Sequence, residues 1–189
     1  MPKERLNRAT VVRAAAELID GDQGSDITLA DLAAQLGVRT PSLYNHISGV
    51  DDLQVGIALF GTEELSKRIS RAAIGRSGDA ALWAIASAYR EFAKERPGLY
   101  QATLRAPASS ESSRVVASND IIDILKVVLE SHGDSDERAI HVIRGLRSLM
   151  HGFVSLELVG GFGIPLDVDE SYHDLIATFV AGLRQESRL

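Results

Sequence analysis

Residues 28–47 constrain the fold of this chain more than any other segment. Thr28 is a good N-cap, and Asp31 follows three residues later as in a capping box. Apolar side chains then recur at helical spacing, namely Leu29, Leu32, Ala33 and Leu36, and a glycine suited to a helix end follows directly. Thr40 and Pro41 are expected to begin a second helix as N-cap and first-turn proline. The pattern predicts a helix-turn-helix.

The second helix of this motif is short and carries a polar outer face. Leu43 and Ile47 are four residues apart and are expected to face inward. The polar residues left outside can hydrogen-bond to phosphates or base edges; they are Thr40, Ser42, Tyr44, Asn45 and His46. A solvated helical hairpin in an all-α protein is the alternative, and these side-chain types favour DNA binding.

Composition narrows the class of protein. The chain has 189 residues, 45% of them hydrophobic, which suits one domain or two small ones with a substantial core. It has no long uncharged apolar run and no signal-like N-terminus, so we expect a cytoplasmic protein without a membrane span. Cysteine is absent, and no His or carboxylate set has metal-ligand spacing. No nucleophile elbow or phosphate-binding loop is present. We therefore expect no metal, no cofactor and no enzymatic activity.

The charge distribution bears on DNA binding more than the net charge does. The net charge of −6 argues against DNA binding at first sight. Binding depends, however, on where the cations lie and not on the net charge of the chain. Residues 1–47 contain five Lys and Arg residues against six acids, and four of the five cations fall within the first 13 residues. Such a modest cationic arm supports few phosphate contacts, so we expect a moderate salt dependence.

Helical periodicity dominates the rest of the chain, without convincing strand alternation. Besides the two helices of the motif, the pattern predicts helices over 6–20, 50–74, 80–95, 97–104, 115–131, 137–159 and 171–185. Gly56 and Gly61 lie inside the fourth helix and mark either a bend or the close approach of another helix. The expected fold is all-α with about nine helices.

The helix over 137–159 carries apolar residues around most of its circumference, so more than one side must be buried. A stripe of small residues runs along it, and the last helix offers apolar side chains. These two helices could pair with the same two of a second copy in a four-helix interface. The predicted interface residues are Gly145, Ser148, Gly152, Ser155, Leu175, Phe179 and Leu183. The buried core of a monomer is the alternative and has equal weight.

The chain resembles the TetR family of bacterial transcriptional regulators. The resemblance rests on Thr28-Leu-Ala-Asp-Leu-Ala-Ala-Gln-Leu-Gly-Val, on Pro41-Ser-Leu-Tyr-Asn-His-Ile and on the following Asp51-Asp-Leu. Segments 89–100 and 151–158 also resemble one regulatory-domain subgroup whose hallmark includes a His-Gly pair. The resemblance implies an all-α homodimer with a three-helix DNA-binding domain over 1–48. A helical ligand-binding and dimerisation domain would then cover 49–189.

The resemblance further implies a repressor that binds a palindromic operator as a dimer and is released by a small-molecule effector. The alternative is a dimeric DNA-binding protein whose second region binds a protein partner. Tyr44 and His46 would contact phosphates, whereas Val50 stands where members often carry a phosphate-binding lysine. The predicted DNA-binding residues are Lys3, Arg5, Arg8, Thr28, Arg39, Thr40, Ser42, Leu43, Tyr44, Asn45 and His46.

A ligand pocket in the second region is expected to involve Trp83, Tyr100, Leu104, Arg147 and His151. Arg147 and His151 are four residues apart on an otherwise apolar helix, so both need polar partners. A ligand is one such partner. An internal ion pair or a dimer contact with an acid such as Glu157 is the alternative, and the aromatic residues could equally belong to the core.

Overall fold

The computed structural model describes residues 6–21, 28–104, 112–130 and 136–186. Within these ranges the chain is all-helical with nine helices, which confirms the predicted fold class. The helices are α1 (Arg8–Gly21), α2 (Leu29–Leu36), α3 (Thr40–Leu43), α4 (Val50–Ala73), α5 (Gly78–Glu95), α6 (Pro97–Thr103), α7 (Ser112–Glu130), α8 (Asp136–Leu158) and α9 (Val168–Glu186). No helix in the described ranges is long and apolar enough to cross a membrane.

The helices form two compact units. The first comprises Met1–Glu64 with Arg96–Ala117, and the second comprises Leu65–Glu95 with Ser118–Leu189. In the first unit α1 packs against α2 and α6, and α2 packs against α3. In the second unit α5, α8 and α9 pack against one another. The functional division between residues 48 and 49 stays a prediction.

Three glycines let the helices of the first unit lie close together. A Cβ added to Gly56 of α4 would lie 2.8 Å from a side-chain carbon of Val12 in α1. A Cβ on Gly61 would lie 2.9 Å from side chains of α6, and one on Gly98 would lie 2.3 Å from the carbonyl oxygen of Ile19. Gly56 and Gly61 therefore mark close approaches of another helix, which was one of the two predicted possibilities.

Some helix ends differ by a few residues from the prediction. Arg39, not Thr40, is the N-cap of α3, and Thr40 is already helical. Helix α9 begins at Val168 rather than at residue 171. The Asp167 carboxylate explains this earlier start, because its Oδ1 accepts the N–H groups of Asp169 at 2.7 Å and Glu170 at 3.3 Å. An aspartate in this position satisfies donors that the first turn leaves unpaired.

Candidate nucleic-acid interface

Two caps fix the ends of α2. The Asp31 N–H donates to Thr28 Oγ1 at 3.2 Å, and the Thr28 N–H donates to Asp31 Oδ2 at 3.3 Å, which confirms the capping box. Gly37 adopts a left-handed φ of 64°, and its N–H points at the carbonyls of Ala33 and Ala34. The helix therefore ends sharply and the chain turns directly into α3.

Two buried apolar side chains anchor α3 and the turn after it. Leu43 has no exposed surface and Ile47 is only 2% exposed, so both face inward as expected. The Ile47 N–H donates to the Leu43 carbonyl at 3.0 Å. The prediction that Leu43 contacts DNA is therefore wrong for its side chain, which packs in the core of the first unit.

The opposite face of α3 and of the turn after it is polar and open to solvent. Tyr44 is 56% exposed. Arg39 and Asn45 are exposed, whereas Thr40, Ser42 and His46 are half-buried. These side chains supply a cation, hydroxyls, an amide and an imidazole on one short element, a set that can bind both phosphates and base edges.

Of the other predicted DNA contacts, the structure describes Thr28 and Arg8. Thr28 is exposed at the start of α2. Lys3 and Arg5 lie outside the described residues. Arg8 is exposed, and its Nη1 donates to Asp52 Oδ2 at 2.8 Å. Val50 is 44% exposed at the start of α4.

The first turn of α4 is acidic. Asp51 and Asp52 lie there. Asp52 also accepts the Ser48 N–H at 2.9 Å, and hydrogen bonds from Arg8 and from this N–H hold its pKa below the ordinary value. The ionised form of Asp52 is therefore the one that this arrangement stabilises.

In the second unit, α8 and α9 form a groove of about 310 Å³ that includes Gly145, Phe179 and Leu183. A Cβ on Gly145 would contact the Phe179 ring at 3.6 Å, so these two helices lie close together. Ser148 and Gly152 are exposed, and Ser155, Leu175 and Phe179 are half-buried. Leu183 is 7% exposed, so it belongs to the core of one chain and has almost no surface left for a partner.

The predicted ligand residues do not come together in one unit. Tyr100, which is fully buried, and Leu104 belong to the first unit. Trp83, Arg147 and His151 belong to the second. Trp83 stacks on His173 with ring centroids 4.6 Å apart, and His151 Nδ1 lies 3.3 Å from Ser155 Oγ. Arg147 is exposed, so within one chain it does not need the polar partner that the sequence led us to expect.

Sequence reasoning missed a charged cluster in the second unit. Arg90 donates to both carboxylate oxygens of Glu157, at 2.8 and 2.7 Å, and to Asp169 at 2.6 Å. Lys94 Nζ lies 3.1 Å from Glu157. The Arg90 hydrogen bond is the main cause that lowers the pKa of Glu157, and the same carboxylates raise the pKa of Arg90. Within one chain, Glu157 therefore pairs with Arg90 and Lys94 and not with Arg147.

Two aromatic rings lie against Arg90 in this cluster. The Arg90 guanidinium lies 4.9 Å from the ring centre of Tyr172 and 5.7 Å from that of Phe153. The Tyr172 hydroxyl donates to the Ala86 carbonyl at 2.8 Å, and burial raises the pKa of Tyr172. The sequence offered one indication of this cluster, because Arg90 and Lys94 lie one turn apart on an amphipathic helix. The cluster ties α5 to α8 and α9.

Among the described residues no group of three His, Asp or Glu side chains could hold a metal ion.

Comparison with known proteins identifies several relatives. The family model described as "Tetracyclin repressor-like, C-terminal domain" matches residues 82–179. The "Uncharacterized HTH-type transcriptional regulator YobS" of Bacillus subtilis (strain 168) is 36% identical over 96% of this chain and 95% of its own length. The "Uncharacterized HTH-type transcriptional regulator Rv0681" of Mycobacterium tuberculosis (strain ATCC 25618 / H37Rv) is 30% identical over 97% of this chain and 84% of its own.

Solved structures share the fold. The crystal structure of a TetR variant from Acinetobacter baumannii AYE in complex with minocycline superposes with a TM-score of 0.72. The match covers 97% of this chain and 99% of that one at 18% identity. At this identity the likeness shows the helical architecture alone.

Proposed function

Because this chain belongs to the TetR family of transcriptional regulators, we propose that it is a dimeric repressor that binds a palindromic operator and is released by a small molecule. The observation that carries the proposal is the exposed polar face of α3, which two buried side chains, Leu43 and Ile47, hold in place. An exposed tyrosine on a short helix that is anchored in this way suits a DNA groove better than a ligand pocket.

On DNA, each protomer places α3 in a major groove. Two-fold symmetry puts the two recognition helices in successive grooves, about 34–36 Å apart, so the operator is palindromic. Tyr44 and His46 bind phosphates, with Thr28 and Thr40 at helix N-termini beside them. Ser42 and Asn45 face base edges, and the exposed Arg39 reaches either phosphates or bases.

The first experiment is a selection of bound fragments from source genomic DNA, with the chain and its Tyr44→Ala variant side by side. We expect one palindrome to be enriched by the chain and lost with the variant. Tyr44→Ala should weaken binding evenly across sequences and leave the salt slope nearly unchanged, because the lost hydroxyl carries no charge. Tyr44→Phe keeps the ring and removes only the hydroxyl, so it should lose the same phosphate contact and separates that contact from the packing of the ring. No enrichment at low salt would contradict operator binding.

The surface of the second unit supports dimerisation through α8 and α9. Leu156 is 50% exposed and Val159 is 79% exposed on and just after α8, next to the exposed Gly152. Apolar surface of this kind is commonly covered by a partner. A second copy covers it with the same helices in a self-complementary contact.

Release by a small molecule is the regulatory half of the proposal. The minocycline complex is a precedent for such binding by a protein of this fold. A ligand shifts operator affinity only by its differential affinity for two states, typically by about 1–3 kcal/mol. Helix α4 carries the change, because it begins in the first unit and ends in the second.

The test of release is a compound panel scored by loss of fluorescence anisotropy from labelled operator. A saturating compound that displaces the DNA supports release. A panel without any displacing compound, together with a protein that co-purifies with the chain, would favour the alternative of a protein partner for the second region.

A further inference from the structure

We propose that Arg8 is a positioning residue for the recognition helix and not a DNA-phosphate contact, and that it acts through Asp52. The inference rests on the proposed operator binding and changes the role of one residue that the sequence placed at the DNA. A cationic residue at the start of a DNA-binding unit is expected to face phosphate, but the geometry points Arg8 elsewhere.

One carboxylate oxygen joins three parts of the first unit. Asp52 Oδ2 accepts from Arg8 Nη1 at 2.8 Å and from the Ser48 N–H at 2.9 Å. Arg8 Nη2 also lies 3.5 Å from the Asp52 carbonyl oxygen. Arg8 belongs to α1, Asp52 to α4, and Ser48 to the segment between α3 and α4. We call these three residues the junction.

The junction continues into a packed seam one turn further along both helices. Val12 follows Arg8 by four residues, and Gly56 follows Asp52 by four residues. A Cβ on Gly56 would lie 2.8 Å from Val12 Cγ2 and 3.4 Å from Arg8 Nη2, so α1 and α4 are in close contact here. The Arg8 guanidinium is therefore held against the Asp52 carboxylate and the surface of α4, while 47% of the side chain stays exposed.

The junction acts on α3 because Ser48 directly follows Ile47. Ile47 is 2% exposed and anchors the end of the recognition segment. The hydrogen bond from Ser48 to Asp52 fixes the backbone immediately after this anchor. Arg8 holds the accepting carboxylate in place from the other side. Loss of Arg8 or of the Asp52 charge therefore loosens the backbone that sets the orientation of α3.

The two possible roles of Arg8 predict opposite effects at Asp52. If Arg8 bound phosphate, Asp52→Asn would release Arg8 from its ion pair and remove a negative charge near the DNA, so operator affinity would rise. If Arg8 positions α3, the same substitution weakens operator binding. Asp51 is the matched control, since it is the exposed neighbour in the same helical turn and lies outside the junction. Asp51→Asn makes the identical change of charge.

The experiment measures binding to the selected operator duplex and to a scrambled duplex by fluorescence anisotropy over a series of salt concentrations. The proteins are the full chain, Arg8→Gln, Asp52→Asn, the double variant and Asp51→Asn, each checked for helix content by circular dichroism. We expect Arg8→Gln and Asp52→Asn each to weaken operator binding about two- to fivefold, the range for an ion pair this exposed. The double variant should bind the operator no more weakly than either single variant, because both substitutions break the same contact.

Three further readouts separate positioning from phosphate contact and from a purely structural role. The salt slope and the affinity for scrambled DNA should stay unchanged in both single variants. Asp51→Asn should bind the operator at least as tightly as the unmodified chain. Arg8→Lys keeps the charge and one donor, so its operator affinity should lie between those of Arg8→Gln and the unmodified chain.

Two results would contradict the proposed role of Arg8 without contradicting operator binding. The first is a salt slope that is shallower by about 0.9 per lost contact in Arg8→Gln, together with tighter operator binding by Asp52→Asn. Both effects are expected if Arg8 contacts a phosphate. The second is specific operator binding that none of the junction variants changes. If the unmodified chain binds the operator duplex no more tightly than the scrambled duplex, then it does not bind an operator specifically. The proposed role of Arg8 would then fail together with the proposed function.

Discussion

Arg90 and Glu157 form an ion pair from which we expect an acid-sensitive stability of the second unit. The side chains are only 11% and 15% exposed, and the hydrogen bond from Arg90 lowers the pKa of Glu157 below its ordinary 4.5. A carboxylate with a lowered folded pKa stabilises the fold fully above its unfolded pKa, and the contribution is lost as the pH falls through the folded value. Glu157→Gln should therefore reduce the free energy of unfolding by about 2 kcal/mol at pH 7. The difference from the unmodified chain should shrink below about pH 4.5.

Urea unfolding at several pH values between 7 and 3 checks this expectation. Asp169→Asn is the matched control because its carboxylate binds the same guanidinium but is 76% exposed, where water screens the interaction. Its effect at pH 7 should be much smaller. The expectation is wrong if the difference in unfolding free energy between Glu157→Gln and the unmodified chain stays constant down to pH 3. This ion pair would then not control the response of the protein to acid.

Individual residues show what local spacing can and cannot predict. Leu43 and Ile47 were expected to face inward because they are four residues apart on a helix, and local geometry alone decides this. Arg90 and Glu157 are 67 positions apart, so no periodicity connects them, and the sequence offered Arg147 as a partner instead. The sequence shows which side chains need a partner, whereas tertiary packing decides which partner each one finds.

At the level of elements, Gly98 determines how closely α6 lies against α1. A Cβ at this position would lie 2.3 Å from the Ile19 carbonyl oxygen, which is backbone and cannot rotate away. The Leu99 N–H also donates to Asp20 Oδ1 at 2.9 Å, so α1 caps the first turn of α6. Gly98→Ala must separate the two helices and should destabilise the first unit by about 1–3 kcal/mol.

Thermal unfolding of Gly98→Ala measures this loss. Gly21→Ala is the matched control, because Gly21 ends α1 in an ordinary conformation with nothing within 4 Å of an added Cβ. It should leave the melting temperature almost unchanged or raise it slightly. An equal melting temperature for both variants would show that α1 and α6 adjust to the methyl group without cost.

Caps and periodicity predicted the existence of the helices well, because both act within a few residues. The close approach of α4 to other helices was foreseen from Gly56 and Gly61, but only as one of two possibilities. The partners of these glycines, and the contact of Gly98 with α1, depend on how distant segments pack. No pattern in the sequence identifies α1 as the surface against which both α4 and α6 lie.

For the whole molecule, the scarcity of cations at α3 predicts that a single protomer binds DNA weakly. The net charge of the chain is −6, and Arg8, one of the few cations of the first unit, is paired with Asp52. Most contacts of α3 with DNA must therefore come from neutral side chains and backbone N–H groups. Two such units gain affinity when they bind together, because the second binding event is intramolecular. We therefore expect operator binding to depend strongly on dimerisation.

Gly152 allows a direct test of this dependence. It is exposed on α8, and nothing lies within 4 Å of a Cβ added to it, so Gly152→Glu causes no clash within one chain and should even favour the helix. In the proposed dimer the same carboxylate would be buried without a partner. Sedimentation velocity should therefore show a monomer for Gly152→Glu and a dimer for the unmodified chain.

The operator affinity of Gly152→Glu should fall by more than that of Tyr44→Ala, although the substitution lies in the second unit and α3 is untouched. Ser87→Glu is the matched control, because it adds the same charge to the exposed face of α5 and should remain a dimer with full affinity. A Gly152→Glu variant that stays dimeric would place the interface elsewhere on the chain. A monomeric variant with undiminished operator affinity would instead show that one protomer suffices, and the operator would then have no reason to be palindromic.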